Sequence, residues 1–99
     1  MKILALEQPV PGVPAGAFEP FLREEAACVW KLYLDGVVRE IYFRGDRREA
    51  VLLLETRDAG EAKHVLSALP LVRERLITFD VIPLVPYSGF ERLFRPPAP

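Results

Sequence analysis

All ten prolines of this 99-residue chain lie either between positions 9 and 20 or between positions 70 and 99. Proline has no backbone N–H and a fixed φ angle, so it interrupts helices and the interior of sheets. The stretch from Phe21 to Leu69 is therefore where continuous helices and strands are expected. A chain of this length has enough residues for one core, so we expect a single domain over residues 1–99.

Two helical patterns occur in the chain. The first begins near Glu19 and Pro20 and ends at Gly36, with proline near the first turn and glycine as the C-terminal stop. The second begins at Asp58, a good N-cap, and ends before Pro70. Apolar residues recur at steps of three and four in both: Phe21, Leu22, Ala26, Val29, Trp30 and Tyr33 in the first, and Ala59, Ala62, Val65, Leu66 and Leu69 in the second.

Four strand patterns complete the chain, over residues 2–7, 37–44, 50–56 and 77–84, with "GDRR" as the turn of a hairpin. The order βαββαβ most often builds a four-stranded antiparallel sheet of spatial order 4-1-3-2 with both helices on one face. We therefore predict a ferredoxin-like α+β fold. Residues 86–99 are expected to form an extended C-terminal arm. Its apolar residues either clasp a neighbouring subunit, which we favour, or close a pocket: Tyr87, Phe90, Leu93 and Phe94.

Two helices cover only one face of such a sheet. On the helix side we expect Ile41, Phe43, Val51, Leu53, Ile77, Phe79 and Val81. On the open side we expect Leu52, Leu54, Tyr42, Ile82 and Leu84, with either Ile3 and Ala5 or Leu4 and Leu6 from the first strand. Burial of a large aliphatic side chain stabilises by about 1.5 to 3 kcal/mol, so we expect a homodimer or higher homo-oligomer to cover this face.

Polar side chains on the outer strands of the open face form the candidate site. Glu40, Tyr42 and Arg44 alternate along the second strand, and Thr78 and Asp80 lie on the last one. An enclosed arginine needs a carboxylate, a ligand or water as its partner, and Asp80 and Glu40 are the obvious carboxylates for Arg44. Because residues four apart on a strand are separated by about 13 Å, we do not expect Glu40 and Arg44 to pair directly. Two interpretations stay open for this row of residues. It is either a ligand site, or it is charged edge protection and intersubunit pairing.

Several classes of function are disfavoured. A net charge of −1 attracts neither nucleic acid nor an anionic membrane, and no apolar run approaches the length of a membrane span. With one cysteine, Cys28, and one histidine, His64, a zinc or copper site of the usual ligand count is nearly excluded. The lone cysteine and an N-terminus without a signal-peptide core favour the cytoplasm. The acidic pair Glu24 and Glu25 is predicted to be a solvated flank of the first helix, although one of them could reach the sheet edge.

Two segments resemble the muconolactone isomerase family of the dimeric α+β barrel superfamily: "DGVVREIYFR" after the first helix and "LPLVRERLITFDVIPL" after the second. The resemblance covers about residues 22–85. It implies a ferredoxin-like fold whose sheets pair into a barrel, a small organic ligand held between sheet and helices or inside the barrel, and no cofactor. Arg39 matches an arginine at the start of the family's second strand. Thr78 and Asp80 match acidic positions of its last strand. The resemblance implies that Arg39 and Thr78 bind substrate.

Three functions are compatible with these observations. The first is a cofactor-free isomerase of a small organic acid or lactone, in which Arg44 orients a carboxylate and Tyr42 hydrogen-bonds a carbonyl or enolate oxygen. Glu40 or Asp80 would then be the base, with a pKa raised by apolar surroundings. The second is a non-catalytic ligand-binding or assembly module. The third is a cofactor-free monooxygenase, since such enzymes share this barrel.

Overall fold

The computed structural model describes residues 1–97. Its helices and strands are β1 (Lys2–Pro9), α1 (Leu22–Leu34), β2 (Val38–Phe43), β3 (Ala50–Glu55), α2 (Ala59–Ser67), α3 (Pro70–Arg73) and β4 (Ile77–Pro83). The strands form one antiparallel sheet of order β2-β3-β1-β4. This confirms the ferredoxin-like α+β fold. The short helix α3 is an element that the sequence pattern did not predict.

The helix ends follow the local signals in the sequence. The Asp58 side chain accepts a hydrogen bond of 2.8 Å from the Glu61 N–H and so caps α2. Gly36 follows α1 with a φ of +78°, a left-handed conformation that favours glycine. At the start of α1, Glu19–Phe21 forms a separate 3₁₀ turn, so the α-helix proper begins later than the sequence pattern predicts.

The core lies between the sheet and α2. Its fully buried side chains from the strands are Ile3, Ala5, Val38, Leu52 and Leu54, and those from α2 and the turn after it are Ala62, Leu66 and Leu69. The apolar stripe expected for the second helix is thus the one that covers the sheet. The backbone of α2 lies nearest to β4, and its buried side chains Ala62 and Leu66 reach the cluster formed by the central strands.

The structure corrects the face that we expected for β3. Leu52 and Leu54 lie buried on the helix side, and Val51 and Leu53 point to the open side. The Arg44 N–H donates to the Glu49 carbonyl oxygen at 2.9 Å, which closes the hairpin loop in a register that pairs Ile41 with Leu52. A shift of one residue in register turns every side chain of a strand to the other face. Four successive apolar residues, from Val51 to Leu54, carry no alternation that could have revealed this.

Strand β2 contains an irregularity between Val38 and Glu40, where the register with β3 shifts by one residue. Val38 is therefore buried on the helix side together with its partner Leu54. Beyond the bulge, Ile41 pairs with the buried Leu52, so Ile41 lies on the helix side of the sheet, as expected. Tyr42 remains on the open side. A bulge leaves one residue of the strand unpaired and interrupts the ladder of hydrogen bonds locally.

Helix α1 is attached to the sheet only loosely, since none of its 13 residues is buried. Cys28, Val29 and Leu32 pack partly against the core. Trp30 and Tyr33, which we expected within the apolar stripe of this helix, stay exposed. The stripe therefore faces a space between α1 and the sheet.

Beyond β4 the chain continues as an extended arm. The radius of gyration is 17.2 Å, and the longest dimension of the molecule is 64 Å. A compact chain of this length has a radius of gyration of about 13 Å, so the arm is stretched away from the rest of the protein. A single 3₁₀ turn, Gly89–Leu93, interrupts it.

The register of β3 leads to a first prediction. Leu54→Ala removes a fully buried side chain and is expected to lower the free energy of unfolding by about 2 to 5 kcal/mol. Leu53→Ala, the matched control on the open face, is expected to cost about 1 kcal/mol or less. Urea unfolding at low protein concentration measures both values without a contribution from association. Equal losses would contradict the observed register.

Candidate functional site

A groove of about 1150 Å³ lies between α1 and the part of the sheet near β2. Its apolar walls are formed by Leu22, Ala26, Val29, Trp30 and Tyr33 from α1 and by Ile41, Phe43, Ala50 and Leu52 from the sheet. Helix α1 buries none of its residues, whereas α2 buries Ala62 and Leu66, so the groove lies under the less buried helix. Small-molecule sites are typically mostly apolar cavities of about 300 to 1000 Å³, so the groove has the character and the size of a ligand site.

Two carboxyl groups, those of Glu7 and Glu25, lie in this apolar groove. Glu7 is on β1, and its Oε1 accepts a hydrogen bond of 3.0 Å from the Ala50 N–H. Glu25 is on α1, and its Oε1 accepts a hydrogen bond of 2.9 Å from the Leu71 N–H near the start of α3. Both side chains are partly buried. They approach the groove from opposite sides, one from the sheet and one from the helix.

The surroundings favour the protonated form of both groups. Burial raises the pKa of the Glu7 carboxyl, the hydrogen bond from the Ala50 N–H partly offsets this, and the charge of Glu49 adds to it. Burial likewise raises the pKa of Glu25, against its hydrogen bond from the Leu71 N–H, and the negative charge of Glu7 raises it further. Carboxyl groups with raised pKa values in a cleft are typical of acid and base catalysts.

Each of these carboxyl groups still has one oxygen available. Within residues 1–97, the second carboxyl oxygen of Glu7 and of Glu25 accepts no hydrogen bond from the protein. The bonded oxygen fixes the orientation of each side chain, because a backbone N–H of a strand or helix cannot move freely. The arrangement thus combines a fixed carboxyl group with an oxygen that can take up a proton or meet a ligand.

Aromatic and cationic side chains border the mouth of the groove. The rings of Trp30 and Tyr33 are stacked with centroids 5.8 Å apart. The guanidinium of Arg48 lies 4.7 Å from the centroid of the Phe43 ring, a cation–π contact. Arg39 also lines the groove, and its Nε donates a hydrogen bond of 2.7 Å to the Gly36 carbonyl oxygen. Neither arginine takes part in an ion pair with any residue from 1 to 97, so both can meet an anionic ligand.

Of the residues predicted from the sequence, Glu40 and Tyr42 lie together. The Tyr42 hydroxyl donates a hydrogen bond of 2.8 Å to Glu40 Oε1, and this bond raises the pKa of the Tyr42 phenol. Both residues belong to the edge strand β2 and border the groove. The pair is exposed to solvent.

Arg44 has different partners from those we expected. Its Nε and Nη2 donate to the two carboxylate oxygens of Asp46, at 2.9 and 2.6 Å, and Glu49 lies 3.9 Å from its Nη1. Within the described chain Asp80 does not balance this charge, and Glu40 does not pair with Arg44 directly, as its distance along the strand led us to expect. Asp46 lies only two residues away in the hairpin loop, so the bidentate pair forms locally and does not need the rest of the sheet.

Thr78 and Asp80 lie at the other edge of the sheet. They are exposed on β4, where they pair in register with Gln8 and Leu6 of β1. Three strand spacings separate β4 from β2, which is about 14 Å. One protomer therefore does not bring Asp80 next to Tyr42.

The sequence pattern missed Glu7 and Glu25. The expectation that the acidic pair on α1 is a solvated flank is wrong for Glu25, which is partly buried, whereas Glu24 is exposed and pairs with Arg73 at 3.4 Å. A signal was present, because Glu25 is one helical turn from both Leu22 and Val29 and so falls within the apolar stripe. Glu7 likewise alternates with Ile3 and Ala5, which places it on the face of the core residues.

These observations define a ferredoxin-like α+β protein with a ligand-sized groove between its first helix and its sheet. The same fold occurs in the crystal structure of muconolactone isomerase at 3.3 Å resolution, which superposes with a TM-score of 0.70 over 90% of this chain and 93% of that chain. Sequence identity between the two is 17%. The chain therefore has a muconolactone isomerase-like fold. No protein-family model matches the sequence, and no curated protein matches it significantly.

Two further observations concern metal binding and membrane insertion. Among residues 1–97, no group of three or more His, Cys, Asp or Glu side chains could hold a metal ion. In the same part of the chain, every helix is too short or too polar to cross a membrane.

The raised pKa of Glu25 leads to a second prediction, on stability against pH. Between the ordinary carboxyl pKa of 4.5 and the raised value, the folded protein binds more protons than the unfolded chain. The contribution of this group to stability is therefore fully present at low pH and is lost as pH rises through the raised pKa. Glu25→Gln keeps an acceptor for the Leu71 N–H but cannot ionise. Its stability relative to the unmodified protein is expected to rise as pH increases from below 4.5 through the raised pKa of Glu25.

Glu24→Gln is the matched control, because Glu24 is the exposed neighbour on the same helix. Chemical denaturation of the three proteins at a series of pH values measures the effect. A stability difference for Glu25→Gln that is flat with pH, or that matches the control, would contradict the assignment.

Proposed function

We propose that this protein is a cofactor-free proton-transfer enzyme of the isomerase type, which acts on a small organic acid or lactone in the groove between α1 and the sheet. The observation that carries the proposal is the pair of partly buried carboxyl groups, Glu7 and Glu25, whose pKa values are raised in an apolar cavity. The fold shared with muconolactone isomerase supports it.

Isomerisation by proton transfer requires a group that removes a proton from carbon and a group that returns one at another position. No electrons are gained or lost overall, so two carboxyl groups suffice. The negative charge of Glu7 is one of the causes that raise the pKa of Glu25, after burial, so the two groups do not titrate independently. The apolar walls partly desolvate the two carboxyl groups, which strengthens electrostatic interactions inside the groove.

The groove mouth offers complementary groups for an anionic substrate. Arg39 and Arg48 are cations without an ion-pair partner among residues 1–97, and we propose that they orient the substrate carboxylate. Tyr42 keeps the role that the sequence suggested for it, as donor to a developing enolate oxygen, once a ligand displaces Glu40.

A third prediction follows for catalysis. Proton exchange is measured by NMR as deuterium uptake from D₂O into a panel of small unsaturated lactones and carboxylic acids. Glu7→Gln and Glu25→Gln are expected to lower the exchange rate by about 10²- to 10⁴-fold, the usual contribution of a general acid or base. Glu24→Gln serves as the control and is expected to retain the rate. Unchanged exchange in both groove variants, with a substrate that the unmodified protein turns over, would refute the proposal.

A non-catalytic ligand-binding module is the second candidate. The hydrogen bonds from the Ala50 and Leu71 N–H groups are compatible with this candidate. A carboxyl group that only stabilises the fold would accept such bonds as well. Trp30 is the only tryptophan and lines the groove, so its fluorescence reports ligand binding directly. Binding without exchange would favour this candidate. Oxygen uptake that depends on substrate would indicate a monooxygenase instead.

We further propose that two copies stack through the open faces of their sheets. Apolar side chains on this face are only partly covered in one protomer: Leu4, Leu6, Val51 and Leu53, together with the more exposed Ile82. Contiguous apolar area of this kind is a usual feature of protein interfaces. In this arrangement Arg44, Thr78 and Asp80 lie at the edges of the interface.

The fourth prediction tests this association. Leu53→Glu introduces a charge at the centre of the open face and is expected to convert the oligomer into a smaller species. Lys63→Glu changes the charge on the exposed surface of α2 and serves as the control. Size-exclusion chromatography with light scattering measures the mass of each. The same mass for all three proteins would exclude stacking through this face.

A further inference from the structure

The hairpin loop between β2 and β3 lies next to one of the two carboxyl groups of the groove. Glu49 is the last residue before β3, and it precedes Ala50, whose N–H donates the hydrogen bond to Glu7 Oε1. In the pairing of β1 with β3, Glu7 comes one step after the pair of Leu6 and Val51. The backbone that fixes Glu7 therefore also carries Glu49 to the same end of the sheet.

The Glu49 side chain is more enclosed than the loop around it. It is only 14% exposed, whereas the side chains of its two cationic neighbours, Arg44 and Arg47, are 36 and 55% exposed. Arg47 Nε donates a hydrogen bond of 2.7 Å to Glu49 Oε1, and Arg44 Nη1 lies 3.9 Å from the same oxygen. The Glu49 N–H donates to the Arg47 carbonyl oxygen at 2.8 Å. The Glu49 carboxylate is thus anchored by its neighbours in the loop.

A fixed negative charge beside Glu7 disfavours a second negative charge there. Burial is the largest cause that raises the pKa of Glu7, the hydrogen bond from the Ala50 N–H lowers it, and the charge of Glu49 raises it further. The negative charge of Glu7 in turn raises the pKa of Glu25. The effect of Glu49 is therefore transmitted to both carboxyl groups of the site. Other charged side chains line the groove or act on Glu25: Arg39, Glu40, Arg48, Glu24 and Arg73.

We propose that Glu49 is a positioning residue that acts through Glu7: its anchored carboxylate keeps Glu7 protonated up to a higher pH, and Arg47 limits this effect by partly neutralising it. Glu49 itself lies outside the groove wall. The inference rests on the proposed function, since it concerns the protonation of a group to which that function assigns a proton transfer. The turn "GDRR", which the sequence pattern predicts only as a hairpin connection, then contributes to the chemistry of the site through Arg47.

The fifth prediction uses two substitutions that are expected to act in opposite directions. Glu49→Gln removes the negative charge, so the titration of Glu7 is expected to move to lower pH. Arg47→Gln removes the cation that partly neutralises Glu49, so the titration of Glu7 is expected to move to higher pH. Both changes break the same ion pair, so a merely structural effect would shift the titration in the same direction. NMR of the side-chain carboxyl carbon of Glu7, assigned with Glu7→Gln, measures each titration.

Glu61→Gln breaks a comparable ion pair on α2, with Arg57 at 3.4 Å, and is the control that should leave the titration of Glu7 unchanged. Deuterium exchange at a pH below the midpoint of the Glu7 titration gives a second readout. There Glu49→Gln is expected to exchange about two- to fivefold faster than the unmodified protein, because the singly ionised carboxyl pair is more populated.

A Glu7 titration that stays unchanged in both loop variants, or that moves in the same direction in both, would overturn the role of Glu49, even where exchange still depends on Glu7 and Glu25. If the titrations move in opposite directions as expected but the unmodified protein exchanges no compound, the role of Glu49 in the protonation of Glu7 stands and the proposed function fails. The two failures are therefore distinguished by separate measurements.

Discussion

The close packing of α2 on the centre of the sheet determines where the other parts of the protein can lie. Ala62 and Leu66 of α2 meet Ile3, Ala5 and Leu54 with almost no exposed surface, so the helix side of the sheet has one well-filled half. Helix α1 is left with the other half, near the edge strand β2. It reaches the core through only a few partly buried residues, and the remaining space is the groove. The site is thus a consequence of unequal helix packing.

The same unequal packing accounts for the chemistry of Glu7 and Glu25. On the close-packed half of the sheet, a carboxyl group would be fully desolvated and could not contact a ligand. On an exposed surface, its pKa would stay near the ordinary value. In the groove each group is partly desolvated, is held by a backbone N–H, and keeps one oxygen accessible. These bonds also join the separate elements, since Glu25 connects α1 to α3 and Glu7 connects β1 to β3. Glu7 and Glu25 therefore both hold elements together and line the candidate site. A Glu→Gln variant tests the ionisable group alone, because glutamine still accepts the hydrogen bond from the backbone N–H.

A protomer of this kind has two apolar surfaces in water, the open face of the sheet and the mouth of the groove, and one apolar arm that extends from it. The open face of the sheet has an occupant of matching chemistry if two copies stack. Isolated protomers leave all three exposed, which is costly for a domain with a small core. The proposed stacking of two sheets would therefore contribute to the stability of the protein.

Much of the fold could be read from the sequence, and the reasons are specific. Asp58 and Gly36 mark helix ends through local chemistry, and β4 alternates between apolar and polar residues, so these elements and the order of the sheet were predicted. Strand β3 was assigned to the wrong face because the segment from Val51 to Leu54 is apolar at every position. Local bonding also decided the partner of Arg44, which is Asp46 two residues away.

The candidate site likewise combines features that the local sequence predicts with features that depend on the tertiary structure. The sequence by itself determined the βαββαβ order, the helix caps, the polar row on β2 and the apolar arm, because each of these depends on neighbours within a few positions. Only the tertiary structure decided the register of β3, the distance between α1 and the sheet, and the pairing of Glu7 with Glu25 in the groove. Those two residues are 18 positions apart in the chain, and their pKa values are set by burial between elements, a property that no local pattern contains.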